Sequence, residues 1–395
     1  MAASTEDSSL GAVLVGTFNE PGERDPALAG SGGLVLTTGW PEAPAVRAGT
    51  GPDAPSWLVR GRPGTPSEGL LYAALHRSEG ELAVLSPAGP SRPGTTGGAG
   101  AQDRGNDVGW VTSQRIPAGG VSTCHADLNP SGTWLAAASY DSGTLTIAPV
   151  LDDGLLGEPV AVAAPAGSGP VAARQQEPHL HFVLFLDDDR LLVTDLGADR
   201  ILEYSIRDLT GATGAGDHGQ PTFVHTLPAG TGPRHLAVLP PLPEAGIERR
   251  HLAVVGELDS RLHLLDLDST PEGFAEVAVV PTHGQDQDPE SARENLPSHL
   301  VLSPDASLVY VANRGRNTIG VIRRAGTPEL IAEVPCGGDW PRHIALGHPG
   351  GAPTLFVALE RDDAVVGLGL DADGIPGEVR TRVTVRRPGF LLPGT

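Results

Sequence analysis

One phrase returns along the 395-residue chain, and no other feature limits its fold as tightly. "PSWLVRG" leads into "GLLYAALHRSEGELAVL". "CHADLNPSG" leads into "TWLAAASYDSGTLTIAPV". "LHFVLFLDDD" leads into "RLLVTDLGADRILEYSI". "PRHLAVLP" leads, after an insert, into "RHLAVVGELDSRLHLLDLD". "PSHLVLSPDA" leads into "SLVYVANRGRNTIGVIRR", and "PRHIALGHPGG" into "PTLFVALERDDAVVGLGLD". Each copy holds three strand-length apolar runs, mostly bounded by Gly, Asp, Ser or Pro. The copies start roughly 45 to 65 residues apart, the period of a four-stranded β-propeller blade.

Six copies are plain, and "GAVLVGTF…GGLVLTT" near the N-terminus reads as a divergent seventh. The expectation is an all-β fold: a seven-bladed β-propeller with four-stranded antiparallel blades. The C-terminal "EVRTRVTV" alternates with period 2 and reads as a lone strand. Pairing between strands from the two termini would close the ring and remove its sheet edges. High glycine and proline with few aromatics suit such turn-rich β structure better than long helices. One domain over residues 1–395 is expected, with 1–9 as a tail. The Gly-, Ala- and Pro-rich stretches 86–108, 161–173 and 210–221 read as exposed insertions rather than linkers.

Composition narrows the function. All 27 basic residues are arginine. Lysine Schiff-base chemistry and P-loop phosphate binding are therefore excluded. A formal charge of -21 argues against nucleic-acid and anionic-membrane partners. An anionic small molecule could bind only where arginines gather. No charged-then-apolar leader opens the sequence and no apolar run approaches membrane-spanning length, so a cytoplasmic location is expected. Cys124 and Cys336 form neither a disulfide framework nor a zinc quartet.

Stacking the repeats in register gives three sets of equivalent positions. Just before each innermost strand stand Ser56, Cys124, His181, Arg234, Ser298 and Arg342. The next residues are Trp57, His125, Phe182, His235, His299 and His343. Just after each second strand stand His76, Tyr140, Leu196, Glu257, Arg314 and Glu360. In an antiparallel hairpin the start of one strand and the end of the next share one end. The first and third sets should therefore meet at the mouth of the central channel, the natural concave site of such a fold. The middle set has four histidines among six residues. That uniformity reads as structural, with the imidazoles anchoring a loop carbonyl between blades. The varied sets could build a single asymmetric site. His181 faces the mouth in this register, and His179 lies upstream of it in a loop.

The phrases "CHADLNPSGTWLAAASYDSG", "PHLHFVLF…LLVTDLGADRI", "GPRHLAV…VVGELDS", "SPDASLVYVANRGRNTI" and "PRHIAL" resemble the lactonase family of seven-bladed β-propellers. Its branches include 6-phosphogluconolactonases and carboxymuconate-lactonising enzymes. The resemblance implies a catalytic set of His181, Arg234, Glu257 and Arg314, all on the positions derived above. His76 departs from the family pattern, which carries an acidic residue there. Arg342, His76, His179, Tyr140 and Glu360 are the substrate-binding candidates.

The expected chemistry is hydrolysis of a sugar lactone, 6-phosphogluconolactone-like, at the channel mouth. Arginines would bind the anion, His181 would act as general base, and Glu257 would orient it or share that role. No cofactor is implied. A lactonising isomerase acting on a carboxymuconate-like diacid would use the same groups. A non-catalytic propeller that binds a ligand or a protein is the alternative from a different class. A metal site is not expected: arginines share the rings with Glu257 and Glu360, and His179 and His181 lack a third ligand. Ser298 sits in no G-x-S-x-G elbow, and Cys124 reads as a small buried residue.

Overall fold

The computed structural model describes residues 12–18, 33–42, 44–48, 51–88, 109–211, 219–269, 273–285 and 294–394. They form seven four-stranded antiparallel sheets. Neighbouring blades meet through their inner strands, and the seventh meets the first, so the ring is closed. Blades 2 to 7 follow the chain. Their inner strands are Pro55–Arg60, Thr123–Leu128, Leu180–Phe185, Pro233–Leu239, Leu296–Leu302 and Pro341–Gly347. The described helical structure is slight, with Ile206–Leu209 as its α-helical turn. Among these residues no helix is long and apolar enough to cross a membrane.

Blade 1 closes the ring, by a different strand from the one expected. Its outer three strands come from the N-terminus: Val13–Thr17, Leu34–Thr38 and Ala45–Ala48. Its innermost strand is Pro388–Pro393, paired antiparallel with Val13–Thr17. The "EVRTRVTV" run belongs to Pro376–Thr384, the outermost strand of blade 7. Its alternation marks an outer strand with one solvated face. The buried closing strand reads instead as a short apolar run, "PGFLLP".

The core is distributed over seven inter-blade interfaces. Alternate residues of one strand face opposite neighbours, because side-chain direction has period 2. Leu71, Ala73 and Leu75 pack with Leu14 and Phe390 of blade 1. Tyr72 and Ala74, on the same strand, pack with Ala126, Leu128 and Leu135 of blade 3. Strands buried on both faces need continuous apolar runs, which is why the inner repeats show no polar alternation.

The insertions differ from one another. Stretch 161–173 is not loop throughout: it supplies Ala161–Ala163, the outer strand of blade 3. Stretches 86–108 and 210–221 lie partly outside the described residues, and the 1–9 tail lies wholly outside them. The insert after Leu239 joins the first two strands of blade 5 at the end away from Arg234, and Arg324 donates to the Pro240 carbonyl at 2.7 Å.

Candidate active site at the ends of the inner strands

The first set of positions turns out to be a set of β-bulges. Ladder register slips at Ser56, Cys124, His181, Arg234 and Arg342, each the second residue of its inner strand. Blade 6 slips across Ser298 and His299, and blade 1 at Gly389. These residues thus lie within the strands and not before them. A bulged residue leaves the ladder and its side chain is re-aimed, a common device beside functional sites.

What each bulge does depends on side-chain length. Ser56 Oγ donates to the Thr123 carbonyl and Ser298 Oγ to the Pro341 carbonyl, at 3.0 and 2.7 Å, each in the next blade. Cys124 Sγ donates to the His181 carbonyl at 3.4 Å. Burial pushes the Cys124 thiol up to about 12, so no thiolate nucleophile forms there. These short residues pin neighbouring blades together. His181, Arg234 and Arg342 are long enough to reach past the strand into a cavity of about 650 Å³.

Directly below lies a layer of planar rings, one per blade: Trp57, His125, Phe182, His235, His299, His343 and Phe390. Trp57 has its centroid within 4.1 to 5.8 Å of each of the other six. For His125 and His343 the partner is not the expected loop carbonyl. His125 Nδ1 accepts the Val183 N–H at 3.2 Å, and His343 Nδ1 accepts the Leu391 N–H at 3.3 Å. Both amides belong to the inner strand of the next blade. An unprotonated ring nitrogen can do this, and burial holds both imidazoles neutral, well below the usual histidine range.

The cavity takes residues from all seven blades, which places it on the propeller axis. Its lining includes Arg77, Arg174, Arg234, Arg314, Arg342 and Arg387, against Asp141, Glu257 and Glu360. Among the described lining residues six guanidiniums face three carboxylates, a concentration of arginine in a chain of formal charge -21.

Glu257 is the hub of one side. Its Oε2 pairs with Arg234 Nε at 2.8 Å and Arg314 Nη2 at 2.5 Å, and its Oε1 pairs with Arg174 Nη2. Burial alone would raise the carboxyl. Arg314, Arg234 and Arg174 overcome that and hold it well below the usual carboxylate range. A carboxylate clamped so tightly is a poor base, so the expected sharing of proton transfer by Glu257 does not fit. It fixes the arginines instead. Arg234 also donates to the Ser298 carbonyl, and to His235 Nε2 at 3.0 Å. Arg314 Nε donates to the Leu296 carbonyl at 2.9 Å. Burial and neighbouring Arg314 push Arg234 down to about 9, still charged at neutral pH.

His181 stands beside this hub, 5.4 Å from the His235 ring and 5.5 Å from Tyr140, with Nδ1 buried and unpartnered. Burial and Arg234 keep it neutral, while Glu257 pulls in the other direction. His179 does not line the cavity. Its ring stacks on Tyr140 at 4.5 Å, and Nδ1 donates to the Tyr140 carbonyl at 3.0 Å. It supports Tyr140, whose hydroxyl accepts from Arg174 Nη2 at 3.2 Å. Leu196 is buried away from the cavity.

On the other side Glu360 pairs with Arg342 Nη1 at 3.2 Å and Arg387 Nη2 at 3.3 Å. Phe18 lies 4.5 Å beneath the Arg342 guanidinium and meets the His76 ring edge-on at 5.6 Å. Burial and Arg342 push His76 down to about 4. Both glutamates are engaged by guanidiniums, and the described residues hold no group of three or more His, Cys, Asp or Glu arranged for a metal ion.

The sequence matches the family described as "Lactonase, 7-bladed beta-propeller" over residues 37–393. The chain belongs to that family. Among similar lactonase sequences, a 6-phosphogluconolactonase of Bacillus subtilis is 31% identical over 232 residues, 58% of this chain and 60% of that protein. A 6-phosphogluconolactonase of Formosa agariphila is 25% identical over 254 residues, 63% of this chain and 67% of that one. The chain thus spans about three fifths of the first of these relatives and two thirds of the second. Solved structures share the fold over nearly the whole length. A putative 6-phosphogluconolactonase from Bacteroides fragilis aligns at TM-score 0.74 and 20% identity, covering 99% of both chains. A periplasmic gluconolactonase of Pseudomonas aeruginosa also aligns at 0.74 and 20%, covering 97% of this chain and 99% of that one.

Proposed function

We propose that this lactonase-family propeller hydrolyses a sugar lactone carrying an anionic group, of the 6-phosphogluconolactone type, in the axial cavity. The observation that carries this reading is the gathering of arginines among the described lining residues around a neutral His181. An anionic substrate would be drawn into such a mouth against the charge of the rest of the protein. The names of the similar sequences support the same reaction class.

The chemistry follows from the groups present. His181 takes a proton from water as the oxygen attacks the lactone carbonyl. Arg234 Nη2 and Arg314 Nη1 have no acceptor among the described residues, and both side chains line the cavity. They are poised to stabilise the carbonyl oxygen as it becomes an oxyanion. Glu257 keeps their guanidiniums in place and favours the imidazolium formed during attack. Bound anion offsets the arginine charges and raises the basicity of His181 when it is needed. Collapse of the tetrahedral intermediate then breaks the ring C–O bond. The imidazolium proton passes to the leaving alkoxide, giving the hydroxy acid.

Purified protein assayed on 6-phosphogluconolactone, gluconolactone and a carboxymuconate, with and without chelator, tests this. Chelator-insensitive opening of a sugar lactone above the spontaneous rate is expected. Turnover of the muconate alone would favour the lactonising reaction, and turnover of none would favour a binding propeller.

A further inference from the structure

We propose that Arg342, with Phe18 beneath it, and Arg387 form a second subsite for an anionic group carried by the substrate away from its lactone ring. This rests on the lactonase reading and divides the cavity in two. The Glu257 hub draws on blades 5 and 6 and on Arg174, which precedes blade 4. The Glu360 hub draws on blade 7 and the connection into blade 1. Each hub gathers its guanidiniums on its own glutamate. One anionic centre would need one hub. Two hubs side by side fit a molecule with charge at two places: the oxyanion that develops on the lactone carbonyl, and a permanent anion further along the chain.

The two hubs are built differently. Arg234 and Arg314 are nearly fully buried and tied to backbone carbonyls. Arg174, at the edge of that hub, is 33% exposed; in the other hub both guanidiniums are open, with side-chain exposures of 22% for Arg342 and 26% for Arg387. Open guanidiniums suit a group that must arrive and leave hydrated. Buried, fixed donors suit charge that appears only during reaction. Phe18 orients the Arg342 plane by stacking. It can lie there because the bulge position of blade 1 is Gly389, where a Cβ would come within 2.1 Å of the Phe18 ring.

The backbone at Arg387 supplies an independent observation. Its φ is +40°, in the left-handed region, directly before Pro388. That conformation is unfavourable for a residue with a side chain, and more so before proline. It is held from both sides: the Arg387 N–H donates to Asp363 Oδ1 at 2.8 Å, and the Phe18 N–H donates to the Arg387 carbonyl at 3.0 Å. The strain turns the guanidinium inward to Glu360 and the cavity, and strain that neighbours over-determine tends to mark functional positions.

The test compares three lactones: 6-phosphogluconolactone, the carboxylate-bearing lactone of glucaric acid, and uncharged gluconolactone. For Arg387→Met, kcat/KM on a charged lactone should fall at least about tenfold more than on gluconolactone, mainly through KM, as loss of a charged hydrogen-bond partner implies. Arg387→Lys should recover part of that selectivity. A larger loss on the phosphate or on the carboxylate lactone supports the subsite and identifies its anion. Equal losses on all three lactones, or none, would overturn it while leaving the lactonase reading intact. Failure of wild-type protein to open any lactone would overturn both. Calorimetric binding of inorganic phosphate gives a second readout, and Arg342→Gln a second variant should Arg387→Met not fold. Weaker binding supports the subsite, and unchanged binding contradicts it.

Discussion

Adjacent residues in each inner strand have opposite work. The bulge layer reads Gly389, Ser56, Cys124, His181, Arg234, Ser298 and Arg342 around the ring, and no side-chain chemistry dominates it. One residue further along, the ring layer reads Phe390, Trp57, His125, Phe182, His235, His299 and His343, planar at every position. Backbone symmetry is the same in both. In the ring layer uniform side chains fill the axis and tie blade to blade. In the bulge layer symmetry is broken: Ser56 and Ser298 staple, Cys124 staples and borders the cavity, and the long residues reach into it. The proposed chemistry therefore draws on positions where the repeat departs from itself, one residue from where it is kept.

Substitutions across the two layers should separate stability from turnover. The largest stability effect is expected at Trp57, whose indole touches every other ring of its layer. Trp57→Ala should cost about 3 to 5 kcal/mol, as large aromatic truncations in packed sites do, and chemical denaturation measures it. Turnover by the fraction that stays folded should fall much less. In the bulge layer, Arg234→Met breaks the pair with buried Glu257. It should cost roughly 2 to 4 kcal/mol in transition-state stabilisation, read as a fall in kcat/KM. Comparable loss of activity from both substitutions at equal folded fraction would erase the distinction.

A smaller effect sharpens it through pH. His125, His235, His299 and His343 are held neutral by burial, so their folded pKa values lie below the unfolded value near 6.5. The unfolded chain therefore binds more protons as pH falls below 6.5. Each ring should subtract up to about 1.4 kcal/mol of stability per pH unit in that window. Glu257 and Glu360 have depressed values, so their contribution is present above the unfolded value near 4.5 and lost only as pH falls below it. Denaturant titrations between pH 7 and 5 should show the histidine slope, and His343→Phe should make it shallower by one histidine's share. An unchanged slope would mean that His343 titrates alike in both states.

Much of this was legible because the repeats are in register. Stacking six phrases brought His181, Arg234, Glu257, Arg314, Arg342 and Glu360 to one mouth, and the structure places all six on one cavity. The bulges were not legible, since strands buried on both faces read as continuous apolar runs with no alternation for a one-residue slip to shift. The N-terminal strands of blade 1 were legible as a divergent copy, but its innermost strand comes from the opposite end of the chain, so Gly389 and Phe390 never aligned with their equivalents. Arg174 and Arg387 lie outside the repeats. Arg174 is the lone basic residue in the Gly-, Ala- and Pro-rich stretch before "PHLH", and a single charge amid small residues was the available signal. His179 is a substrate-binding candidate in the sequence, but its ring stacks on Tyr140 and does not line the cavity.

The central claim is that the bulge layer carries the reaction, and His181 tests it most directly. Purified His181→Gln and wild-type protein would be compared on 6-phosphogluconolactone by acid release at constant pH, with melting temperature recorded for both. The account predicts a fall in kcat of about two to four orders of magnitude, the range for removing a general base, in a protein that melts within a few degrees of wild type. Wild-type turnover by a well-folded His181→Gln variant would contradict it.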